Sequence, residues 1–252
     1  MIKESYDFER RFGGVARLYG EEKLEIFQRS HICVIGIGGV GSWVVESLAR
    51  HGIGKITLVD MDHIAESNIN RQIQALDSTI GDSKVDIMSQ RVKDINPMIN
   101  IKVVDDFIDE TNLEKYIHTD FHFVVDAIDH TKVKIALAEY CITNKILLLM
   151  TGGAGGKTNP TLIQTANIDK TFGDPLLSGI RQHFNKQKKI NGISYKIPTV
   201  FSPEKIIKPQ LTGDNNIMQG LNCAGYGSSI NVTASFAFVA TSFVLDLSLI
   251  HI

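Results

Sequence analysis

Cysteine is scarce in this chain: Cys33, Cys141 and Cys223 are widely spaced and form no C-x-x-C pair. That scarcity excludes a disulfide framework and argues against a structural zinc site. An excess of charge of one sign is also missing. With 26 Lys and Arg against 28 Asp and Glu, the net charge is -2, so a polyanionic partner would have to be met by a local patch. The first residues, "MIKESYDFERRFGG", carry charges where a secretory signal needs an apolar core, which makes the cytoplasm the expected compartment. No long hydrophobic run is free of polar residues. The most apolar stretch, "INVTASFAFVATSFVLDLSLIHI" over 230–252, contains Asn231, Asp246 and several Ser and Thr, which favours a buried or dimer-facing helix over a membrane span. Its last six residues, "LSLIHI", match the translation of a transposon end used in sequencing-library preparation, so the natural C-terminus is expected to be missing.

What is present is an alternation of strand and helix. A hydrophobic share of 43% over 252 residues is enough to bury the core of one large domain. "HICVIG" is an apolar run ending on Gly36, a helix is expected from about Val40 to Arg50, and "KITLVD" is a second run ending on Asp60. This βαβ rhythm continues through the helix "DSKVDIMSQRVKDINP", the strands "INIKVVDDFI" and "FHFVVDAID", the helix "TKVKIALAEYCITNK" and the strand "ILLLMTGGAGG". The expected fold is therefore α/β: a Rossmann-like, mostly parallel sheet with flanking helices, followed by a C-terminal extension of strands and a long apolar helix. The chain is expected to be a single domain over 1–252, with a nucleotide-binding core at about 30–155 and a substrate-facing portion at about 156–252. From Phe172 to Gln210 it reads as a polar, basic loop region without clear periodicity.

The turn "GIGGVG" between the first strand and helix is the first chemical motif. Gly36 suits the tight turn, Gly38 allows backbone to approach a phosphate, and Gly41 allows close packing of the helix. The N–H groups at the start of that helix point at the anion. Asp60, 19 positions after Gly41, ends the second strand where a carboxylate can accept from ribose hydroxyls. The next stretch, "DMDHIAESNINRQ", brings Asp60, Asp62, Asn68, Arg71 and Gln72 together, with Lys84 following. A hydride-transfer site needs a flat apolar slot, whereas this density of charge suits a triphosphate and its magnesium. Asp126 and Asp129, in "VVDAIDH", are expected to bring further carboxylates to the same sheet edge.

Together, "RFGGVARLYG", "GIGGVGSWVVESLARHGIG", "DMDHIAESNINRQ", "DSKVD" and "VVDAID" resemble the adenylating enzymes related to ubiquitin-activating enzymes and to the activators of sulfur carriers. The resemblance implies ATP and magnesium as cofactors. It assigns Gly36, Gly38, Gly39 and Gly41 to the phosphates, Asp60 to the ribose, and Asp62, Asn68 and Gln72 to the nucleotide's surroundings. Arg71 and Lys84 become the charge-stabilising pair and Asp129 the magnesium ligand, while Arg17, or failing that Arg11, would reach the nucleotide of a partner subunit in a homodimer. Whether a monovalent cation is needed is not legible in the sequence.

Two C-x-x-C zinc pairs typical of the carrier activators are absent. "LLLMTGGAGGKTNPTLIQTANIDKTFGDPL" and "NCAGYGSSINVTASFAFVA" instead resemble the branch of the family that dehydrates threonylcarbamoyladenosine in tRNA. That branch implies adenylation of the threonyl carboxylate beside the anticodon, then ring closure by the neighbouring ureido group with loss of AMP. The alternative is an activator of a ubiquitin-like sulfur carrier. Intramolecular closure needs no attacking side chain. Cys223 is accordingly read as structural or as a sulfur relay receiving from a cysteine desulfurase, ahead of a covalent catalytic role, because no basic residue near it in sequence would lower its pKa. Cys33 and Cys141 read as core residues. For the tRNA, the segment from Arg181 to Lys208 supplies Arg181, Lys186, Lys188, Lys189, Lys196, Lys205 and Lys208 against the single acid Glu204.

Overall fold

The computed structural model describes residues 7–193, 195–208 and 226–247. Two helices, α1 (Phe8–Tyr19) and α2 (Glu21–Arg29), precede the alternating core of β1 (His31–Ile35), α3 (Gly41–Arg50), β2 (Lys55–Val59), α4 (Lys84–Ile95), β3 (Asn100–Val104), α5 (Leu113–Tyr116), β4 (Phe123–Asp126), α6 (Thr131–Thr143) and β5 (Leu148–Thr151). Then come β6 (Gln164–Asn167), α7 (Pro175–Asn191), β7 (Pro198–Phe201) and α8 (Ile230–Leu247). The described strands form one sheet in the order β3-β2-β1-β4-β5-β7-β6. All neighbours pair in parallel except β6, which runs antiparallel to β7 at the edge. β1, β4 and β5 are buried throughout, as a sheet covered on both faces requires. On one face α3, α4 and α8 close a core around Val44, Leu48, Met88 and Phe236. On the other, α6 and α7 close a second core around Leu137, Cys141, Ile180 and Phe184. The chain reverses its direction of winding between β1 and β4, which is where ligands bind in open α/β sheets.

Part of the segment expected to be a basic loop is regular structure, α7 over Pro175–Asn191 and β7 over Pro198–Phe201, which corrects the sequence reading there; its last residues, 209–210, lie outside the described residues. Asp174 caps α7 by accepting from the Leu177 N–H at 3.2 Å, and Pro175 fits the first turn, where no N–H is needed. Leu177, Ile180 and Phe184 give one buried stripe, and Gly192, at φ +73°, ends the helix. Three buried apolar residues spread over 17 positions among lysines are too dilute a pattern to stand out, although the capping residues were legible. No described helix is long and apolar enough to cross a membrane. α8 lies against α3, β5 and β7, with Val232, Phe236, Ala240 and Val244 buried.

At the amino ends of the strands, His31 ties three segments together. Its ring nitrogens lie 2.9 Å from Thr57 Oγ1 on β2 and 3.2 Å from Asp120, and its backbone N–H donates to His122 Nδ1 at 3.0 Å. Burial, reinforced by Lys55 and opposed by Asp120, lowers its pKa from 6.5 to about 4. The folded state thus binds fewer protons than the unfolded chain between these values. The stabilisation is complete above pH 6.5 and is lost as pH falls toward 4, by about 3 kcal/mol at most. Denaturant unfolding across that range should show a steeper acid loss for the wild type than for His31→Gln. Identical slopes would remove His31 as the cause.

Candidate active site

The turn leaving β1 is built so that only glycine fits at its ends. Gly36 has φ +85°, and a Cβ there would lie 2.9 Å from Ala127 O, in the turn after β4. A Cβ on Gly41 would run into Gly36 O, so α3 starts hard against its own loop. Gly38 has no such neighbour, with only Gln72 Nε2 at 4.0 Å, and its surface is open to a ligand. Asp60 holds the loop from the next strand: it accepts from the Ile37 N–H at 2.5 Å and from the Asp62 N–H at 2.8 Å. Burial raises its pKa, against the opposing pull of Lys84 and those two N–H groups.

The segment after β2 folds back over this loop. Gln74 donates to Ile37 O at 2.8 Å and to Gln72 Oε1 at 3.2 Å, and the Trp43 indole on α3 donates to Arg71 O at 2.9 Å. Arg71 is thereby held beside the glycines, its Cδ 3.3 Å from where a Gly39 Cβ would stand. Its guanidinium donates to Ser67 O at 2.7 Å and to Asn70 Oδ1 at 3.0 Å. Lys84, at the start of α4, is buried and pairs with Asp62 at 2.6 Å. Asn68 is buried as well, and its Oδ1 accepts from the Ala65 N–H at 3.1 Å, shaping the 66–68 turn. The glycine loop, Asp60, Asp62, Asn68, Arg71, Gln72 and Lys84 thus belong to one cluster at the carboxyl edge of β1 and β2. α8 reaches it too: Asn70 donates to Ser228 O at 3.0 Å, and Thr233 Cγ2 lies 3.3 Å from the Gly39 Cβ position.

The two carboxylates after β4 separate. Asp126 does not face the sheet edge as expected, because its side chain is fully buried against Lys134 at 2.9 Å. Lys134 also donates to Ile128 O at 2.8 Å, while Asp126 Oδ1 accepts from the Ile128 N–H at 3.0 Å. The sequence reading missed Lys134, although a lysine on an otherwise apolar helix face was the available signal. Asp129 is exposed, two residues beyond the Ala127 that packs on Gly36. Among the described residues no three His, Cys, Asp or Glu side chains gather as a metal cage. A single exposed carboxylate near the glycine loop would fit magnesium only if the ion took its other ligands from a bound nucleotide and water.

Other expected residues lie elsewhere. Arg17 is near the end of α1, where Tyr19 stacks edge-on with His51 at the far end of α3, so about 15 Å of helix separates that end from the glycine loop. Arg17 is exposed there, away from the glycine loop of its own chain. Arg11 donates to Ile95 O at 3.1 Å. A cavity of about 640 Å³ opens between α3 and α8, lined by Tyr19, Trp43, Arg50 and Phe238, and contains none of the expected site residues. On α7, Lys186, Lys188 and Lys189 are exposed. Arg181 is committed to Thr171, donating to its carbonyl at 2.6 Å. Cys33 and Cys141 are buried, which pushes the Cys33 thiol far up and that of Cys141 to about 12. Cys223 lies outside the described residues.

The chain is 47% identical over 244 residues to the tRNA threonylcarbamoyladenosine dehydratase of Haemophilus influenzae, covering 95% of this chain and 94% of that protein. It is 45% identical over 250 residues to the enzyme of the same name from Escherichia coli, with 94% and 93% covered. The crystal structure of the Escherichia coli dehydratase in complex with ATP superposes with a TM-score of 0.85 at 43% identity, covering 96% of this chain and 95% of that one. A second structure of that enzyme contains AMP and superposes with a TM-score of 0.84. The profile of the ThiF family matches residues 12–247, taking in every element that builds the glycine loop, the Arg71 and Lys84 cluster and the Asp129 turn, and the chain belongs to that family.

Proposed function

We infer that this chain is an ATP-dependent enzyme that dehydrates threonylcarbamoyladenosine in tRNA. The observation that carries the inference is the gathering of glycine loop, Asp60, Arg71 and Lys84 at the switch point of a chain that aligns nearly end to end with such dehydratases. An oxygen of the threonyl carboxylate attacks the α-phosphorus of ATP, the bond to the β-phosphate breaks, and pyrophosphate departs. The ureido group then attacks the activated carbonyl, AMP leaves, and the ring closes with net loss of water from the nucleoside.

In this reading Gly36, Gly38, Gly39, Gly41 and the start of α3 receive the phosphates. Asp60, Asp62, Asn68 and Gln72 surround the rest of the nucleotide. Arg71 and Lys84 offset the charge that builds on the phosphates as pyrophosphate leaves. Asp129 would hold magnesium, which would supply positive charge against that of the phosphates. Arg17 completes the site of a second copy in a homodimer, and its distance from its own glycine loop supports that assignment. The exposed lysines 186, 188 and 189 of α7 bind RNA phosphates, with Arg181 contributing less because Thr171 already engages it. The 1–252 span acts as one adenylation domain, its portion from about 156 onward facing the tRNA.

The defining experiment is incubation with ATP, magnesium and tRNA bearing threonylcarbamoyladenosine, followed by mass spectrometry of the nucleosides. Loss of one water from that nucleoside is expected, and an unchanged nucleoside rejects the reading. Arg71→Ala should lower kcat on the order of a hundredfold at saturating tRNA; a change in KM alone would show that Arg71 contributes only binding. The double change Lys188→Ala with Lys189→Ala should leave kcat nearly normal and reduce the salt slope of tRNA binding by up to about two. An unchanged slope would place the RNA contact elsewhere.

A further inference from the structure

Outside the nucleotide cluster, a second knot of fully buried charge lies at the end of β5. Lys157 and Asp174 pair at 3.0 Å, with neither side chain exposed. Lys157 uses its three donors on Asp174 Oδ2, Gly153 O at 2.6 Å and Ser202 O at 2.9 Å. Its ammonium lies 5.6 Å from the centre of the Phe236 ring on α8. Asp174 in turn accepts from the Gly153 N–H at 3.0 Å and caps α7. Four pieces of chain meet here: the 152–157 turn, the start of α7, the end of β7 and α8.

The turn so held has a further task. The Gly156 N–H donates to Gly227 O at 2.7 Å, and Gly156 O accepts from the Ile207 N–H at 2.8 Å. One residue beyond Gly227, Ser228 O accepts from Asn70, the neighbour of Arg71. A path of hydrogen bonds and peptide links therefore runs from the buried pair, through Gly156 and the head of α8, to the cluster that surrounds the glycine loop. Neither Lys157 nor Asp174 touches that loop.

We propose that Lys157 and Asp174 are positioning residues: they fix the 153–156 turn and the head of α8 relative to the nucleotide loop, and so set where the carboxylate to be adenylated stands against the ATP. The inference rests on the dehydration reading above. A buried pair retained only for stability can be exchanged for apolar side chains with little loss, whereas removing one partner leaves an uncompensated charge. Apolar replacements cannot donate to Gly153 O and Ser202 O or accept from the Gly153 N–H, so positioning and stability come apart.

The test compares Lys157→Met alone with the charge-free double variant Lys157→Met and Asp174→Leu. The single variant should melt well below the wild type, and the double variant should recover the part due to the uncompensated charge while the unpaired carbonyls of Gly153 and Ser202 and the lost α7 cap keep it below wild type. In the double variant, ATP titrated by calorimetry should bind within about twofold of wild type, while single-turnover dehydration at saturating tRNA falls at least about tenfold. Wild-type turnover in the double variant overturns the proposal, and so does a loss of ATP affinity that matches the loss of turnover. Should the double variant not fold, Gly156→Ala tests the same path with the ion pair intact. Its φ of +72° and the approach of Ile206 Cγ2 to 2.6 Å would shift the turn, and the same split between ATP binding and turnover is expected. Hydrogen exchange separates this inference from the functional reading. If wild type leaves the tRNA unchanged, that reading falls; faster exchange at Gly156 and Ile207 in the variant, with the Gly36 and Ile37 amides unchanged, still supports the clasp, and unchanged exchange there sinks it.

Discussion

Two turns at the carboxyl ends of β1 and β4 meet with no room for a side chain between them, and the organisation of the site follows from that contact. At Gly36 any Cβ would press on the carbonyl of Ala127. Because the turns touch, the glycine loop and the turn that carries the exposed Asp129 lie side by side where the winding reverses between β1 and β4. Asp60 then fixes the loop from the β2 side, through an N–H of the loop and one of its own turn. The loop is thus fixed before any ligand arrives, and little reorganisation would remain for the moment of reaction.

Buried lysines extend the same logic to places where regular structure ends. A turn at a strand terminus has carbonyls with no ladder partner, and burying them unpaired is costly. Lys134 answers this after β4 by bonding to Ile128 O while paired with Asp126. Lys157 answers it after β5 by bonding to Gly153 O and Ser202 O while paired with Asp174. An ammonium has three donors, so one side chain can serve a carboxylate and two backbone carbonyls at once. Such pairs add little net stability against apolar packing. Their yield is a fixed geometry for irregular backbone, which is what a site made from strand-end turns requires.

This division also explains what could be read in the sequence. β1, β2, β4 and β5 were legible because strands covered on both faces must be apolar runs, and α3, α4 and α6 were legible between them, whereas the single turn of α5 was too short to leave a pattern. The glycine loop and its Asp60 were legible because backbone geometry limits the residue types at those positions. Asp126 was misplaced because a carboxylate ending a strand looks the same in sequence whether it faces solvent or a buried lysine, and its partner Lys134 is eight residues away on a helix. Lys157 and Asp174 passed unnoticed for the same reason, 17 residues apart with no periodic relation. α7 was hidden by lysines diluting its stripe. Pairing between side chains depends on tertiary placement, which local pattern does not report.

The distribution of nucleophiles bears on how the reaction is organised. Both described cysteines are buried and their thiols are pushed up by desolvation, so neither offers a thiolate. On the dehydration reading none is required, because the ureido group that closes the ring is carried by the substrate and its effective concentration is set by a few bonds. The chemical burden then moves from reactivity to placement. On that reading the carboxylate must be presented to the α-phosphorus in line with the leaving pyrophosphate, with the nucleotide held on the β1 to β4 side and the tRNA by the region beyond β5. On that reading a rigid joint between those two parts would contribute to rate as a nucleophile does elsewhere, and the Lys157–Asp174 pair, buried in the turns beyond β5, is placed to make the joint rigid.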